Sequence, residues 1–221
     1  MTHHERQSIP GPDGVLEVFV DIPAEAHGLA LIAHPHPLFG GTADNKVVTT
    51  LARAFREQGC ITLRPSFRGV GGSSGEHDYG RKETDDLYAV LAWAKQQFAA
   101  TLPPAAANAP YLAGFSFGAH VTTRLARRLS DQGHAAHWLV LVGTAIGAVA
   151  GDRHYATEPV AADTLLIHGA ADELIPLTTV LAWAEPQGLP VTVLPGADHF
   201  FHRKLPAIRD LIRRNWPGFP G

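Results

Sequence analysis

The segment Tyr111-Leu112-Ala113-Gly114-Phe115-Ser116-Phe117-Gly118 carries an apolar strand straight into the start of an amphipathic helix that the pattern extends to Leu129. Within it, Gly114-Phe115-Ser116-Phe117-Gly118 places one serine at the bend between the two elements. Such a bend leaves little room for neighbouring side chains, which is why the flanking positions are glycine. The Ser116 hydroxyl is then held exposed at the carboxyl edge of a sheet, above a helix amino terminus that favours negative charge. The Phe117 N–H is expected to be one donor to an oxyanion formed there. An ordinary glycine-flanked turn would share the five residues but not the strand before them and the helix after them.

Outward from this bend, short apolar runs alternate with longer amphipathic ones. Strands are predicted at Leu16–Ile22, Leu29–His34, Cys60–Pro65, Tyr111–Phe115, Trp138–Val142, Thr164–His168 and Val191–Leu194. Runs such as Leu139-Val140-Leu141-Val142 fit central parallel strands covered on both faces. Helices are predicted at Asn45–Gln58, Glu83–Phe98, Phe117–Leu129, Leu177–Ala184 and Lys204–Asn215, with Gly59, Pro103-Pro104 and Gly133 as breakers. The alternation implies an α/β fold with a mostly parallel sheet of about seven strands and helices on both faces. No repeat or long linker interrupts it, and the Ala/Pro-rich segment Ala99–Ala109 reads as a surface connection. Residues 1–221 are therefore expected to form one domain.

Composition narrows the classes. The 221 residues are 45% hydrophobic and 18% charged with net charge −3, enough apolar material for a core and too little charge for disorder. Lys and Arg are scattered, which argues against a nucleic-acid partner. The single cysteine, in Cys60-Ile61-Thr62-Leu63, reads as a buried strand thiol. The polar stretch Met1 to Pro12 lacks a secretory signal pattern. The most apolar window, Trp138 to Ala150, is broken by Gly143, Thr144 and Gly147 and falls short of the ~18 residues of a membrane span. A cytoplasmic location without a membrane partner is the expectation.

A serine hydroxyl needs a neighbouring imidazole to take its proton, and the imidazole needs an anion to fix its tautomer. The strand Thr164–His168 runs into Gly169-Ala170-Ala171-Asp172-Glu173, and Val191–Leu194 runs into Pro195-Gly196-Ala197-Asp198-His199. Asp172 and His199 thus stand just past strand ends, in the order Ser, Asp, His. Glu173 and Asp163 are rival acids, but Asp163 lies at the strand's opposite end and Glu173 suits a solvent position. His202 is a rival base about one turn further on, expected inside the last helix. Asp198 reads as a turn or cap residue.

Taken together, these motifs resemble the α/β-hydrolase superfamily over essentially the whole chain. Two further segments, His34-Pro35-His36-Pro37-Leu38-Phe39-Gly40-Gly41 and Phe67-Arg68-Gly69-Val70-Gly71-Gly72-Ser73-Ser74-Gly75, are similar to a compact group of serine hydrolases related to dienelactone hydrolases. Dienelactone hydrolases use a cysteine nucleophile where this chain has Ser116, so the resemblance implies the fold and ester-type chemistry and not that substrate. It implies an α/β-hydrolase fold and a second oxyanion donor in the loop after the early strand. Pro35 and Pro37 have no N–H, which leaves His36 or Leu38. His34 and His36 invite a metal reading, but no cluster with a recognised metal spacing accompanies them, so neither metal nor cofactor is expected. Arg68 is expected to anchor its turn by a salt bridge, and Asp85-Asp86 to favour the dipole of the following helix.

Roughly twenty residues separate Val142 from Thr164, too few for the helical cap that many relatives insert there. An open pocket follows, bordered by Leu38, Phe39, Phe115, Phe117, Ile146, Ile175, Phe200 and Phe201, with Phe39, Phe115, Ile175 and Phe200 the substrate-binding candidates. The expected activity is hydrolysis of a small-molecule carboxylic ester or thioester. Peptide cleavage or acyl transfer on the same three residues is the alternative within enzymes, and a non-catalytic small-ligand receptor is the alternative outside them.

Overall fold

A computed structural model describes residues 2–149 and 153–220. Its strands are β1 (His3–Gly11), β2 (Gly14–Ile22), β3 (Gly28–Ala33), β4 (Cys60–Pro65), β5 (Tyr111–Phe115), β6 (Trp138–Val142), β7 (Gly147–Val149), β8 (Arg153–Tyr155), β9 (Leu165–Gly169) and β10 (Val191–Leu194). The helices are α1 (Lys46–Glu57), α2 (Arg81–Gln97), α3 (Pro104–Asn108), α4 (Phe117–Asp131), α5 (Leu177–Ala184) and α6 (Leu205–Arg214). Eight strands form one sheet in the order β1-β2-β4-β3-β5-β6-β9-β10. The β1–β2 and β2–β4 pairs are antiparallel and every later pair is parallel. This is an α/β-hydrolase fold.

The period of two along each strand divides the core into two layers. In β3, Leu29, Leu31 and Ala33 face one side, with Leu87, Val90 and Leu91 of α2 and Val121, Leu125 and Leu129 of α4. Ala30 and Ile32 face the other, with Val48, Leu51 and Phe55 of α1 and Ile208 and Ile212 of α6. Strand β3 is buried at all six positions, as a central parallel strand must be when helices cover both faces. Cys60 is buried in the second layer, where burial pushes its thiol far up and keeps it unreactive.

Three elements depart from expectation. Residues 3–11, part of the polar stretch for which no strand is predicted, form edge strand β1; its side chains are mostly exposed and are held by ion pairs such as His4–Asp21 (2.6 Å) and Arg6–Glu17. An edge strand needs no apolar alternation on its outer side, so the periodicity gave no signal. Ala99–Ala109 contains the short helix α3. Between β6 and β9, β7 and β8 pair as a small two-stranded antiparallel sheet, and no helical cap stands there among the described residues. No helix of the described residues is long and apolar enough to cross a membrane.

Candidate active site

Ser116 has φ 56° and ψ −119°, left-handed backbone that a non-glycine residue adopts only under constraint. The constraint is visible on both sides. Its N–H donates to Val142 O (2.9 Å), and its carbonyl accepts from Ala119 (3.0 Å), His120 (3.2 Å) and Ala145 (3.2 Å). A Cβ on Gly114 would stand 2.5 Å from Gly118 O, and one on Gly118 would stand 2.3 Å from Ala33 O and 2.4 Å from His34 O. The glycines are therefore demanded by contact: α4 starts pressed against the exit of β3.

The elbow brings Ser116 to the loops after β9 and β10. Ser116 Oγ and His199 Nε2 are 3.0 Å apart, and His199 Nδ1 and Asp172 Oδ2 are 2.8 Å apart. The other carboxylate oxygen of Asp172 accepts from Leu174 N (3.0 Å) and Ile175 N (2.8 Å), which fixes the carboxylate plane. All three side chains are nearly buried. The rivals lie elsewhere. Glu173 is exposed, and exposed His202 is paired with Asp198 at 2.5 Å. Asp198 also accepts from His202 N (3.0 Å), the turn role of the two expected of it, since α6 begins only at Leu205.

Sequence reasoning passed over His168, the last apolar-run neighbour in Leu165-Leu166-Ile167-His168. It is wholly buried, its Nε2 bonds Ile175 O at 2.9 Å, and the same nitrogen stands 3.5 Å from Asp172 Oδ2. Burial holds it below the usual histidine range, so it is a neutral donor that closes the Asp172 loop. A histidine ending an otherwise apolar strand was the available signal.

The loop leaving β3 is fixed by a second neutral histidine. Phe67 N–H donates to His34 Nε2 (2.9 Å), so the proton of the ring is on Nδ1, where it bonds Pro35 O (2.7 Å). Burial pushes His34 down to about 4. Both of its ring nitrogens are thus committed to backbone, and no group of three or more His, Cys, Asp or Glu is arranged to hold a metal among the described residues. His36 uses Nδ1 to accept the Leu38 N–H at 3.2 Å. Its ring lies 4.8 Å from that of Phe117, beside the elbow. The Phe117 N–H opens α4, and neither it nor the His36 N–H has an acceptor among the described residues.

The Phe67–Gly75 turn is anchored by Arg68, which is fully buried. It bonds Asp86 with two nitrogens (2.9 and 2.8 Å), Asp13 (2.7 Å) and Lys82 O (3.1 Å). Asp86 is therefore this anchor's partner and not a dipole residue. The acid at the start of α2 is Glu83, which accepts from the N–H groups of Asp78 (2.8 Å) and Gly80 (2.9 Å).

Two of the four substrate-binding candidates need correction. Phe115 is wholly buried because the alternation that sends Leu112 to one layer sends Tyr111, Ala113 and Phe115 to the other, where the Phe115 ring backs His199 at 5.1 Å. Ile175 is also buried and serves the Asp172 loop through its backbone. Phe117, Ile146 and Phe201 are core as well. Leu38, Phe39 and Phe200 are exposed around the site. Clefts adjoin them: one of ≈ 490 Å³ includes Lys46, Val47 and Phe200, and one of ≈ 470 Å³ includes Leu38, His77 and Tyr79.

A family described as Thioesterase domain matches residues 75–188, a span that contains Ser116 and Asp172 and ends before His199. An α/β serine hydrolase homologue from Coxiella burnetii is 38% identical, with 96% of this chain and 97% of that one covered at a TM-score of 0.79. An α/β serine hydrolase without lid from Xanthomonas campestris is 36% identical, with 99% and 97% covered at a TM-score of 0.82. A dienelactone hydrolase from Anabaena variabilis shares the fold at 18% identity, with 100% and 99% covered and a TM-score of 0.71.

Proposed function

The chain belongs to the Thioesterase-domain family within the lid-less α/β serine hydrolases, and from that membership we propose that it hydrolyses small or medium carboxylic esters or thioesters through an acyl-enzyme on Ser116. The observation that carries the reading is the hydrogen-bonded line from Ser116 Oγ through His199 to Asp172, at 3.0 and 2.8 Å. Asp172 holds the Nδ1 proton, which leaves the Nε2 lone pair facing the hydroxyl. His199 takes the Ser116 proton as Oγ attacks the acyl carbon. The resulting oxyanion is held by the N–H groups of Phe117 and His36, since the Leu38 N–H is already given to His36 Nδ1. His199 then protonates the leaving alkoxide or thiolate. Water, giving its proton to the same nitrogen, attacks the acyl-enzyme and releases the acid.

The test compares wild type with Ser116→Ala on p-nitrophenyl butyrate and on S-butyryl-N-acetylcysteamine. The expected result is a kcat lower by about 10⁴-fold with the fold intact, together with fluorophosphonate labelling of wild type at Ser116. Near wild-type turnover by the variant would sink the proposal.

A further inference from the structure

We propose that the cleft lined by Arg81, Arg124, Arg153, His120, His154 and Tyr155 binds a carboxylate or phosphate group of the substrate, so that the enzyme selects anionic acyl compounds. This rests on the hydrolase reading and names the class of substrate it acts on.

The cleft has a volume of ≈ 440 Å³, and no carboxylate is among its lining residues within the described part of the chain. Arg124 is half-buried, and its Nε is buried without a hydrogen-bond partner among the described residues. Leaving such a donor dry and unmatched is unfavourable, and an anion bonded by this guanidinium would offset that. Arg81 keeps most of its side chain in solvent while bonded to Asp78 at 2.9 Å. It can therefore offer its remaining donors to a ligand. The Arg153 guanidinium lies 4.2 Å over the Phe39 ring, and Phe39 lies 4.9 Å from the His36 ring, which puts this cation beside the oxyanion loop.

The inner wall is close to the nucleophile. The rings of His120 and Tyr155 lie 6.2 and 5.9 Å from that of Phe117, the residue after Ser116. Thr157 donates to Ala145 O (2.7 Å) and accepts from His120 Nδ1 (3.0 Å), and the N–H groups of Ala145 and His120 both bond the Ser116 carbonyl. The cleft is thus fastened to the elbow and stands one ring away from it. Planar guanidinium forks match carboxylate and phosphate oxygens. Cations converging in a cleft focus a field that draws such groups in.

The experiment compares kcat/KM within two matched pairs. Mono-p-nitrophenyl adipate against p-nitrophenyl hexanoate tests a carboxylate in the acyl part. Butyryl-coenzyme A against S-butyryl-N-acetylcysteamine tests phosphate in the leaving group. The expected result is a preference of about tenfold or more for the anionic member of at least one pair. That preference should shrink as salt is raised from about 0.05 to 0.5 M and collapse towards unity in Arg124→Gln. Arg81→Gln, at an exposed position, should lose part of it, and Arg124→Lys should retain more than Arg124→Gln; thermal melts report the fold of each. Equal kcat/KM within both pairs, with the neutral members hydrolysed, overturns the inference and leaves the hydrolase reading standing. A preference that survives in the folded Arg81→Gln/Arg124→Gln double variant also overturns it. If no ester or thioester turns over, the hydrolase reading falls separately. Calorimetry with adipate and with pyrophosphate then decides the cleft: saturable binding lost in Arg124→Gln supports it, and absent or unchanged binding overturns it.

Discussion

Gly118→Ala tests the joint between the elbow and the oxyanion loop. The added Cβ would lie 2.3 Å from Ala33 O and 2.4 Å from His34 O, both backbone atoms that cannot rotate aside. Relieving the overlap requires a shift of about 1 Å between the start of α4 and the exit of β3. Those two segments carry the Phe117 and His36 N–H groups, so the shift parts the proposed donors. A misplacement of about 1 Å in a catalytic constellation lowers turnover by about 100-fold. The loss should fall on kcat with KM little changed, because the oxyanion forms only on the way to the intermediate. Overpacking of this kind destabilises by about 1–3 kcal/mol, and each kcal/mol moves Tm by about 2–4 °C at this chain length. Steady-state kinetics on p-nitrophenyl butyrate and a calorimetric melt supply both numbers. A variant that melts lower but keeps wild-type kcat would refute the pairing of these two donors, and one unchanged in both would refute the contact itself.

In Asp172→Asn, one oxygen can still accept the Leu174 and Ile175 N–H groups while an amide now faces His199 Nδ1; kcat should fall by about 10⁴-fold with Tm nearly unchanged, read by the same kinetics and melt. His34 is held neutral in the native protein down to about 4, whereas an unfolded histidine takes its proton near pH 6.5, so the unfolded state binds more protons between these values and stability falls as pH falls through them. This one ring should account for about 2 kcal/mol between pH 7 and pH 5, and urea melts of His34→Gln should show a shallower pH slope than wild type. Arg68→Ala leaves the buried Asp86 carboxylate without its two-nitrogen partner and should destabilise by about 3–5 kcal/mol, measured by urea melts at pH 7.

The parts legible in the sequence were those where periodicity and chemistry coincide. Val48, Leu51, Ala52 and Phe55 mark α1 and its buried face together, and in the structure Asn45 is the cap whose side chain accepts the Val47 N–H. Ser116, Asp172 and His199 each follow an apolar strand, and the structure brings them within hydrogen-bond distance. Strand β1 was illegible because most of its side chains are polar and exposed, held by ion pairs, and Ile9 is its one buried apolar residue. The pocket wall was illegible for another reason. Phe115 and Phe200 are the same residue type near the same site, yet strand alternation buries the first while a loop exposes the second. His34 and Arg68 act through long-range partners, Phe67 and Asp86, that no local pattern names.

The two-layered core has a consequence for how the protein ages under heat. Ser116 is seated on one layer through Phe117, and His199 is backed by the other through Phe115. The 3.0 Å contact between them therefore spans two packing units on opposite faces of the sheet. A slight loosening of either unit would lengthen that contact before any strand separates. Activity should then decline at temperatures where circular dichroism still reports an intact fold, and should return on cooling, making turnover a finer gauge of interlayer slippage than any spectroscopic melt.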